Sequence, residues 1–262
     1  MNGLFVTGTD TSIGKTVLSA LLLAELRRRD INAAPMKPAQ TGCRPEGFGP
    51  EAFDLSGRAT AQPPKPRIQS RGVPDLDYSL SMAEMQVDAE TYQAMAPYRF
   101  DPACSPHLAA EMAGCEIDIA EMVIAARALT SDYDFVIAEG AGGVLVPLNQ
   151  RETLLDLMQA LKFPVLLAAR PGLGTINHTL LSIRALRDEG LDITGIVFVA
   201  GTADEPGFIE DDNVTTIEHF GKVPVLGTIP YCAQLAEPNT KYDDLPIPVV
   251  AETEKIVNQL GV

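Results

Sequence analysis

Short apolar runs recur along this chain, and most empty into glycine-bearing turns that lead into stretches with helical spacing. Leu4-Phe5-Val6 passes through Gly8–Gly14 into Val17–Leu26. Phe135-Val136-Ile137-Ala138-Glu139 runs into Gly140–Gly143, and Val165–Ala169 runs into Gly172 and Gly174 ahead of a helix over 176–189. Continuous apolar runs of this length predict strands buried on both faces. Further strands are predicted over 32–37, 193–199 and 223–230, and helices over 15–29, 117–131, 153–161, 211–220 and 249–260. Ser105-Pro106 marks another helix start, with Ser105 as N-cap and Pro106 in the first turn. Strands alternating with helices predict the α/β class: a doubly wound, mostly parallel sheet flanked by helices, in a single domain over 1–262. Pro35 suits an edge strand. Residues 58–96 break the pattern and read as an irregular insertion, rich in Pro, Gln, Arg and Gly at 62–77 and helical only in composition from Ser79 to Met95.

The first strand–turn–helix passage carries chemistry. Gly8-Thr9-Asp10-Thr11-Ser12-Ile13-Gly14-Lys15-Thr16 ends as a phosphate-binding loop ends. Backbone N–H groups at a helix N-terminus point at an anion, and the helix dipole favours negative charge there. Lys15 is placed to reach β- and γ-phosphates and the Thr16 hydroxyl to ligate Mg²⁺. Gly8 and Gly14 enclose five residues where the usual spacing is four. In an open α/β sheet, ligands gather at the carboxyl ends of strands. Lys37 and Thr41, just past the second strand, are expected on that edge. So is Glu139, an acid at the end of a core strand and well placed for Mg²⁺. Asp54 is the acid to watch in the mixed stretch that follows. The Gly172–His178 passage offers a second anion site or a plain βα loop.

Composition narrows the partners. Formal net charge is −15, which argues against nucleic acid as a partner. Arg27-Arg28-Arg29 falls at a helix C-terminus, where cations complement the dipole. No apolar run approaches the length of a membrane span, and residues 1–10 show no secretory signal, so a cytoplasmic setting is expected. Cys43, Cys104, Cys115 and Cys232 form neither a disulfide framework nor a zinc pattern.

Taken together, the motifs resemble those of the dethiobiotin synthetase family, whose fold is of the P-loop NTPase kind. The resemblance rests on Phe5–Thr11, Gly14-Lys15-Thr16, Lys37-Pro38 with Thr41-Gly42, Ser105-Pro106-His107, Glu139–Gly143, Gly172–His178 and, more weakly, Val225–Pro230. The extra residue in the phosphate loop is a trait of that family. The resemblance implies an ATP-dependent ligase that builds a ureido ring. The substrates would be 7,8-diaminononanoate, CO₂ or bicarbonate, and a nucleoside triphosphate, reacting through a carbamate and a carbamic-phosphoric anhydride. It implies catalytic roles for Lys37, Lys15 and Thr11, and nucleotide contacts from Ser12, Ile13, Gly14, Lys15, Thr16, Val199 and Pro230. It implies substrate contacts from Thr41, Gly174, Thr175 and Asn177, Mg²⁺ on Thr16, Asp54 and Glu139, and a homodimer. The chain departs from the family at Val199, where an Asn usually reads adenine. A Val side chain neither donates nor accepts, so another nucleoside triphosphate is an expected alternative to ATP. Asn213 stands near where the family has a Tyr that helps hold the substrate carboxylate, and 58–96 is longer than the family needs by about two dozen residues.

Three other readings of the same residues are weaker. An amide synthetase acting on a corrin-type acid would need an ammonia source, for which the chain leaves no room. A DNA-binding partition switch would carry a further Lys inside the loop, and positions 9–13 hold none. A non-catalytic homologue is at odds with Lys15, Thr16, Lys37 and Glu139 all being present.

Overall fold

The computed structural model describes residues 2–43, 72–237 and 239–262. In chain order the elements begin with β1 (Gly3–Gly8), α1 (Lys15–Arg28), β2 (Ala33–Met36) and β3 (Ala39–Gln40). Next come α2 (Pro74–Met82), α3 (Ala89–Met95), β4 (Tyr98–Arg99), α4 (Pro106–Met112), α5 (Ile119–Asp132) and β5 (Phe135–Glu139). The remainder is α6 (Leu154–Leu161), β6 (Val165–Ala169), α7 (Thr175–Asp188), β7 (Ile193–Val199), α8 (Phe208–Gly221), β8 (Val225–Ile229) and α9 (Ile247–Leu260).

Among the described residues, six strands form one sheet in the order β2-β5-β1-β6-β7-β8. Every pair in it is parallel. All six residues of β1 are buried, as a central strand covered on both faces must be. Its side chains alternate between two cores. Leu4 and Val6 pack with Leu18 and Leu22 of α1 and Val249 and Ile256 of α9. Phe5 packs with Met122 of α5, Leu157 of α6, Ile183 of α7 and Ile217 of α8. The sheet is thus wrapped on both sides, as the alternating pattern predicts. Pro35 lies on β2, at the end of the strand order, where its missing N–H leaves no gap in the interior of the sheet.

The structure corrects the reading of 72–96. Residues expected to be irregular carry α2, with Pro74 at its first position and Asp75 and Asp77 in its first turn. α3, whose N-cap Asp88 accepts from the Thr91 N–H, lies within the Ser79–Met95 stretch of helical composition. Proline in the first turn and acids near a helix N-terminus are ordinary start signals. The cluster Arg27-Arg28-Arg29 closes α1, with Arg27 and Arg28 in its last turn and Arg29 at its C-cap. Arg28 and Arg29 bind the buried Glu25, at 2.8 and 2.6 Å, and Arg27 caps the Ala33 carbonyl at 3.0 Å. No described helix is long and apolar enough to cross a membrane.

Candidate active site

Parallel register brings the ends of the strands to one edge. Val6 pairs with Glu139 and Gly8 with Ala168. Met36 pairs with Ala138, so Lys37 leaves β2 level with Glu139. Phe198 pairs with Ala169 and Val199 with Ile229, which sets Val199 and Pro230 further along the same edge.

The loop after β1 is fastened where it starts and where it ends. The Thr9 N–H donates to the Ala168 carbonyl at 3.1 Å. Gly14 caps α1 with φ 92°, a left-handed conformation that favours glycine. There is no space for a side chain, because a Cβ on Gly14 would lie 2.5 Å from Cγ1 and 2.7 Å from Cβ of Val199. Val199 is therefore a wall behind the phosphate loop. Ile13 turns inward beside Gly8, while Thr11 and Ser12 are exposed. Lys15 Nζ folds back onto the Asp10 carbonyl at 2.7 Å. Burial and the neighbouring Lys37 charge lower its pKa to about 8.

Lys37 is the centre of a buried ion cluster. Its ammonium donates to Glu139 Oε1 at 2.6 Å, to Asp75 Oδ2 at 2.6 Å and to the Gly140 carbonyl at 3.3 Å. Those three acceptors use its three N–H bonds. Glu139 Oε1 also accepts from Thr16 Oγ1 at 2.9 Å. Burial, reinforced by Asp75, holds the Glu139 carboxyl above the ordinary range despite Lys37. Burial also pushes the Asp75 carboxyl upward, but the Lys37 charge and hydrogen bonds to Lys37, Glu139 and Thr16 outweigh it and hold it low. Burial opposes the Lys37 charge too, yet the two carboxylates keep its ammonium above the usual range.

Asp75 is a candidate site residue that sequence reading missed. Asp54 lies outside the described residues; among the described residues, the acid that the fold brings to Thr16, Lys37 and Glu139 is Asp75. The available signal was Pro74-Asp75 as a helix start. Nothing local connects it to Lys37. Thr16 and the carboxylates of Asp75 and Glu139 form a set of hard oxygen donors suited to Mg²⁺.

Beside the loop lies a cleft of about 430 Å³. Its polar wall is Thr9, Asp10, Thr11, His178 and Ser182, and Val144–Pro147 and Leu181 form an apolar wall. Gly142, with φ 74°, brings the glycine loop against Thr11, whose Oγ1 would lie 3.6 Å from a Cβ placed there. His178, Leu181 and Ser182 follow one another at helical spacing from the Gly174 cap of α7.

Other expected residues are less directly engaged. Gly174 caps α7 with φ 92°. The Thr175 hydroxyl pairs with that of Thr179 at 3.2 Å, and its N–H donates to the Gly172 carbonyl at 3.2 Å. Asn177 is exposed. Thr41 follows β3, half-buried, and its carbonyl accepts from Gln40 Nε2 at 2.8 Å. Asn213 is buried on α8, and its Nδ2 donates to the Pro171 carbonyl at 2.7 Å, so it braces the loop ahead of α7 from within the chain.

A family model described as an AAA domain matches residues 2–239. The chain is 37% identical over 238 residues to an ATP-dependent dethiobiotin synthetase BioD of Anaeromyxobacter sp. (strain K), covering 90% of this chain and 94% of that one. It is 35% identical over 239 residues to the ATP-dependent dethiobiotin synthetase BioD of Lysinibacillus sphaericus (strain C3-41), covering 90% of each. Among solved structures, the MinD cell division protein of Aquifex aeolicus matches with a TM-score of 0.60 at 11% identity, over 100% of this chain and 97% of that one. The septum site-determining protein MinD complexed with Mg-ADP, from Pyrococcus horikoshii OT3, matches with a TM-score of 0.57 at 14% identity, over 98% and 94%. At such identities the likeness to the MinD structures is one of fold.

Proposed function

Because the chain belongs to the ATP-dependent dethiobiotin synthetase family, we propose that it closes the ureido ring of dethiobiotin from 7,8-diaminononanoate, CO₂ and a nucleoside triphosphate. The observation that carries this reading is the meeting of Lys15, Thr16, Lys37 and Glu139 at one sheet edge, beside a cleft with one polar and one apolar wall.

The chemistry follows from those groups. One amine of the substrate adds to CO₂ and loses a proton, giving a carbamate. A carbamate oxygen attacks the γ-phosphorus, the bond to the β-phosphate oxygen breaks, and the nucleoside diphosphate leaves. The second amine then attacks the carbonyl carbon of the mixed anhydride, closing the ring as phosphate departs and a proton is lost. This makes the enzyme a cyclo-ligase that forms a carbon–nitrogen bond. Phosphoryl transfer of this kind rests on positioning and on neutralising charge at oxygen.

Lys15 and the N–H groups ending at Thr16 would hold the β- and γ-phosphates. Thr16, Glu139 and Asp75 would hold Mg²⁺, which supplies charge neutralisation at the phosphate oxygens. Lys37, level with Glu139, would steady the carbamate and the transferring phosphoryl oxygens. Thr11, at the mouth of the cleft, would donate to the carbamate, with Thr41 as a further donor. The apolar wall Val144–Pro147 suits the aliphatic body of the diamine, and the N-terminus of α7 at Gly174, Thr175 and Asn177 suits its carboxylate.

The base end of the nucleotide would lie toward Val199 and Pro230; Val199 is buried behind the phosphate loop and has no side-chain hydrogen bond to offer, so relaxed base selectivity is part of the proposal. A homodimer is proposed as well, supported by Leu145 and Leu181, exposed on the cleft wall, and by the exposed Leu173 just ahead of α7. The proposed compartment is the cytoplasm, where nucleoside triphosphates are supplied.

The test is phosphate release with 7,8-diaminononanoate, bicarbonate and Mg²⁺, run across ATP, CTP, GTP and UTP. Release that needs both diamine and bicarbonate supports the activity, and release independent of either would sink it. Sharp preference for ATP would remove the relaxed-selectivity part alone.

A further inference from the structure

Beneath the Lys37 cluster lies a small cavity of about 10 Å³, lined by Ser19, Lys37, Asp75 and Glu139 on its polar side and by Met36 and Ile137 on its apolar side. That volume is at the lower limit for one water molecule. Ser19 belongs to α1, three and four residues beyond Thr16 and Lys15, so helical periodicity sets all three toward the same face.

A serine inside a helix ordinarily returns its hydroxyl to the carbonyl one turn back or offers it to solvent. Ser19 does neither. It is 3% exposed, and its buried Oγ has no hydrogen-bond partner among the described residues. The other hydroxyl on the cavity wall is accounted for, since Ser79 Oγ donates to the Asp75 carbonyl at 3.1 Å. An unsatisfied buried hydroxyl is destabilising. A buried water with two or more polar partners removes that cost.

We propose that Ser19 is a positioning residue for the Asp75–Glu139 carboxylates, acting through one buried water held between its hydroxyl and the cluster. The water donates to a carboxylate from below. It thereby fixes which carboxylate oxygens face upward, toward Thr16 and the phosphate loop. Lys37 holds Glu139 Oε1 and Asp75 Oδ2, and its third N–H goes to the Gly140 carbonyl, so it has none left for the other oxygen of either carboxylate. The proposal rests on the reading of Thr16, Asp75 and Glu139 as the Mg²⁺ donors.

Thr and Val have the same shape and differ in the hydroxyl, so Ser19→Thr and Ser19→Val separate hydrogen bonding from packing. Ser19→Val and Ser19→Ala are expected to raise the Mg²⁺ concentration for half-maximal phosphate release, or to lower kcat, by about tenfold. KM for nucleotide and for diamine is expected to stay within about twofold, and Ser19→Thr to keep wild-type values. A high-resolution crystal structure of the ligand-free wild-type protein is expected to show a water within hydrogen-bonding distance of Ser19 Oγ and of an Asp75 or Glu139 oxygen. No water there overturns the proposal, and this readout needs no variant to fold. Equal behaviour of the Thr and Val variants also overturns it. A wild-type protein without diamine-dependent release would instead overturn the function on which the proposal stands.

Discussion

Gly14→Ala tests the wall behind the phosphate loop. Gly14 has φ 92°, and holding an L-residue in a left-handed conformation costs about 1–2 kcal/mol. The new Cβ would also lie 2.5 Å from Val199 Cγ1 and 2.7 Å from Val199 Cβ. The second contact is the important one, because rotating the Val199 side chain does not move its Cβ. Overpacking of this sort costs about 1–3 kcal/mol. The expected loss is therefore about 2–5 kcal/mol, a large part of the ~5–15 kcal/mol that holds a typical domain folded.

The same chain carries its own control for the conformational part. Gly174 caps α7 at the same φ of 92°, and nothing lies within 4 Å of the position its Cβ would take. Gly174→Ala should cost only the left-handed strain, about 1–2 kcal/mol. The assay is urea unfolding of the ligand-free protein for the wild type, both glycine variants, Val199→Ala and the double variant Gly14→Ala/Val199→Ala. Val199→Ala removes both Cγ atoms but keeps the Cβ at 2.7 Å, so the double variant relieves only the Cγ part of the clash, and an interaction energy of about 1 kcal/mol is expected between the two sites. If Gly14→Ala costs no more than Gly174→Ala, or the interaction energy falls below about 0.5 kcal/mol, the contact between the loop and β7 is not what the geometry says.

Three further outcomes are expected. Lys37→Ala should lower turnover by at least about a thousandfold while nucleotide affinity changes only a few-fold, since the lost charge acts at the reacting phosphoryl group. Isothermal titration for affinity and single-turnover kinetics for chemistry separate the two, and turnover within a few-fold of wild type would refute the role. Asp75→Asn should raise the Mg²⁺ requirement by about tenfold or more, read by titrating Mg²⁺ at fixed nucleotide; an unchanged curve would remove Asp75 from the donor set. Lys15 has its pKa lowered to about 8, so at pH 8 about half of the ligand-free molecules carry it neutral. A phosphate anion favours the charged form, so binding should take up about half a proton at pH 8, less at pH 7 and more at pH 9. Calorimetry in two buffers of different ionisation heat measures this. The same shift has a stability counterpart. As pH falls from 10.5 toward 8 the unfolded chain takes the proton first, so this residue's contribution to stability declines through that window and levels off below it.

Much of the fold was legible because a parallel sheet writes itself as apolar runs. The strands ending at Glu139, Ala169 and Val199 are continuous enough to be read without any partner in view. What was not legible depended on contacts distant in sequence or on very short elements. β3 and β4 are two residues each, too short to show any period. α8 begins at Phe208 because Glu210 accepts from the Gly207 N–H at 2.8 Å, a cap that apolar spacing alone does not reveal. In the site, Lys15, Thr16, Lys37 and Glu139 could each be placed by strand ends and loop type. Asp75 could not, because α2 is delivered to Lys37 by packing along α1, and no period in the surrounding sequence encodes that meeting. The cleft wall of His178, Leu181 and Ser182 was not read from the sequence, because helical spacing aligns these residues without showing that Val144–Pro147 lies opposite them.

The place of β1 between β5 and β6 has a consequence for how the chain is made. Gly3 pairs with Val136, 133 residues later in the chain, and Phe5 pairs with Val165. At about 5–20 residues per second, ribosomes need roughly 7–27 s to supply β5 after β1 has been made. Throughout that interval β1 has neither neighbour. The leucines of α1, including Leu18, Leu21, Leu22 and Leu23, have only part of their eventual cover. The phosphate loop joining these two elements is therefore among the earliest segments synthesised and among the latest to acquire its shape. A nascent chain stalled before β5 would display an apolar strand with two open edges, a ready template for aggregation or for chaperone capture.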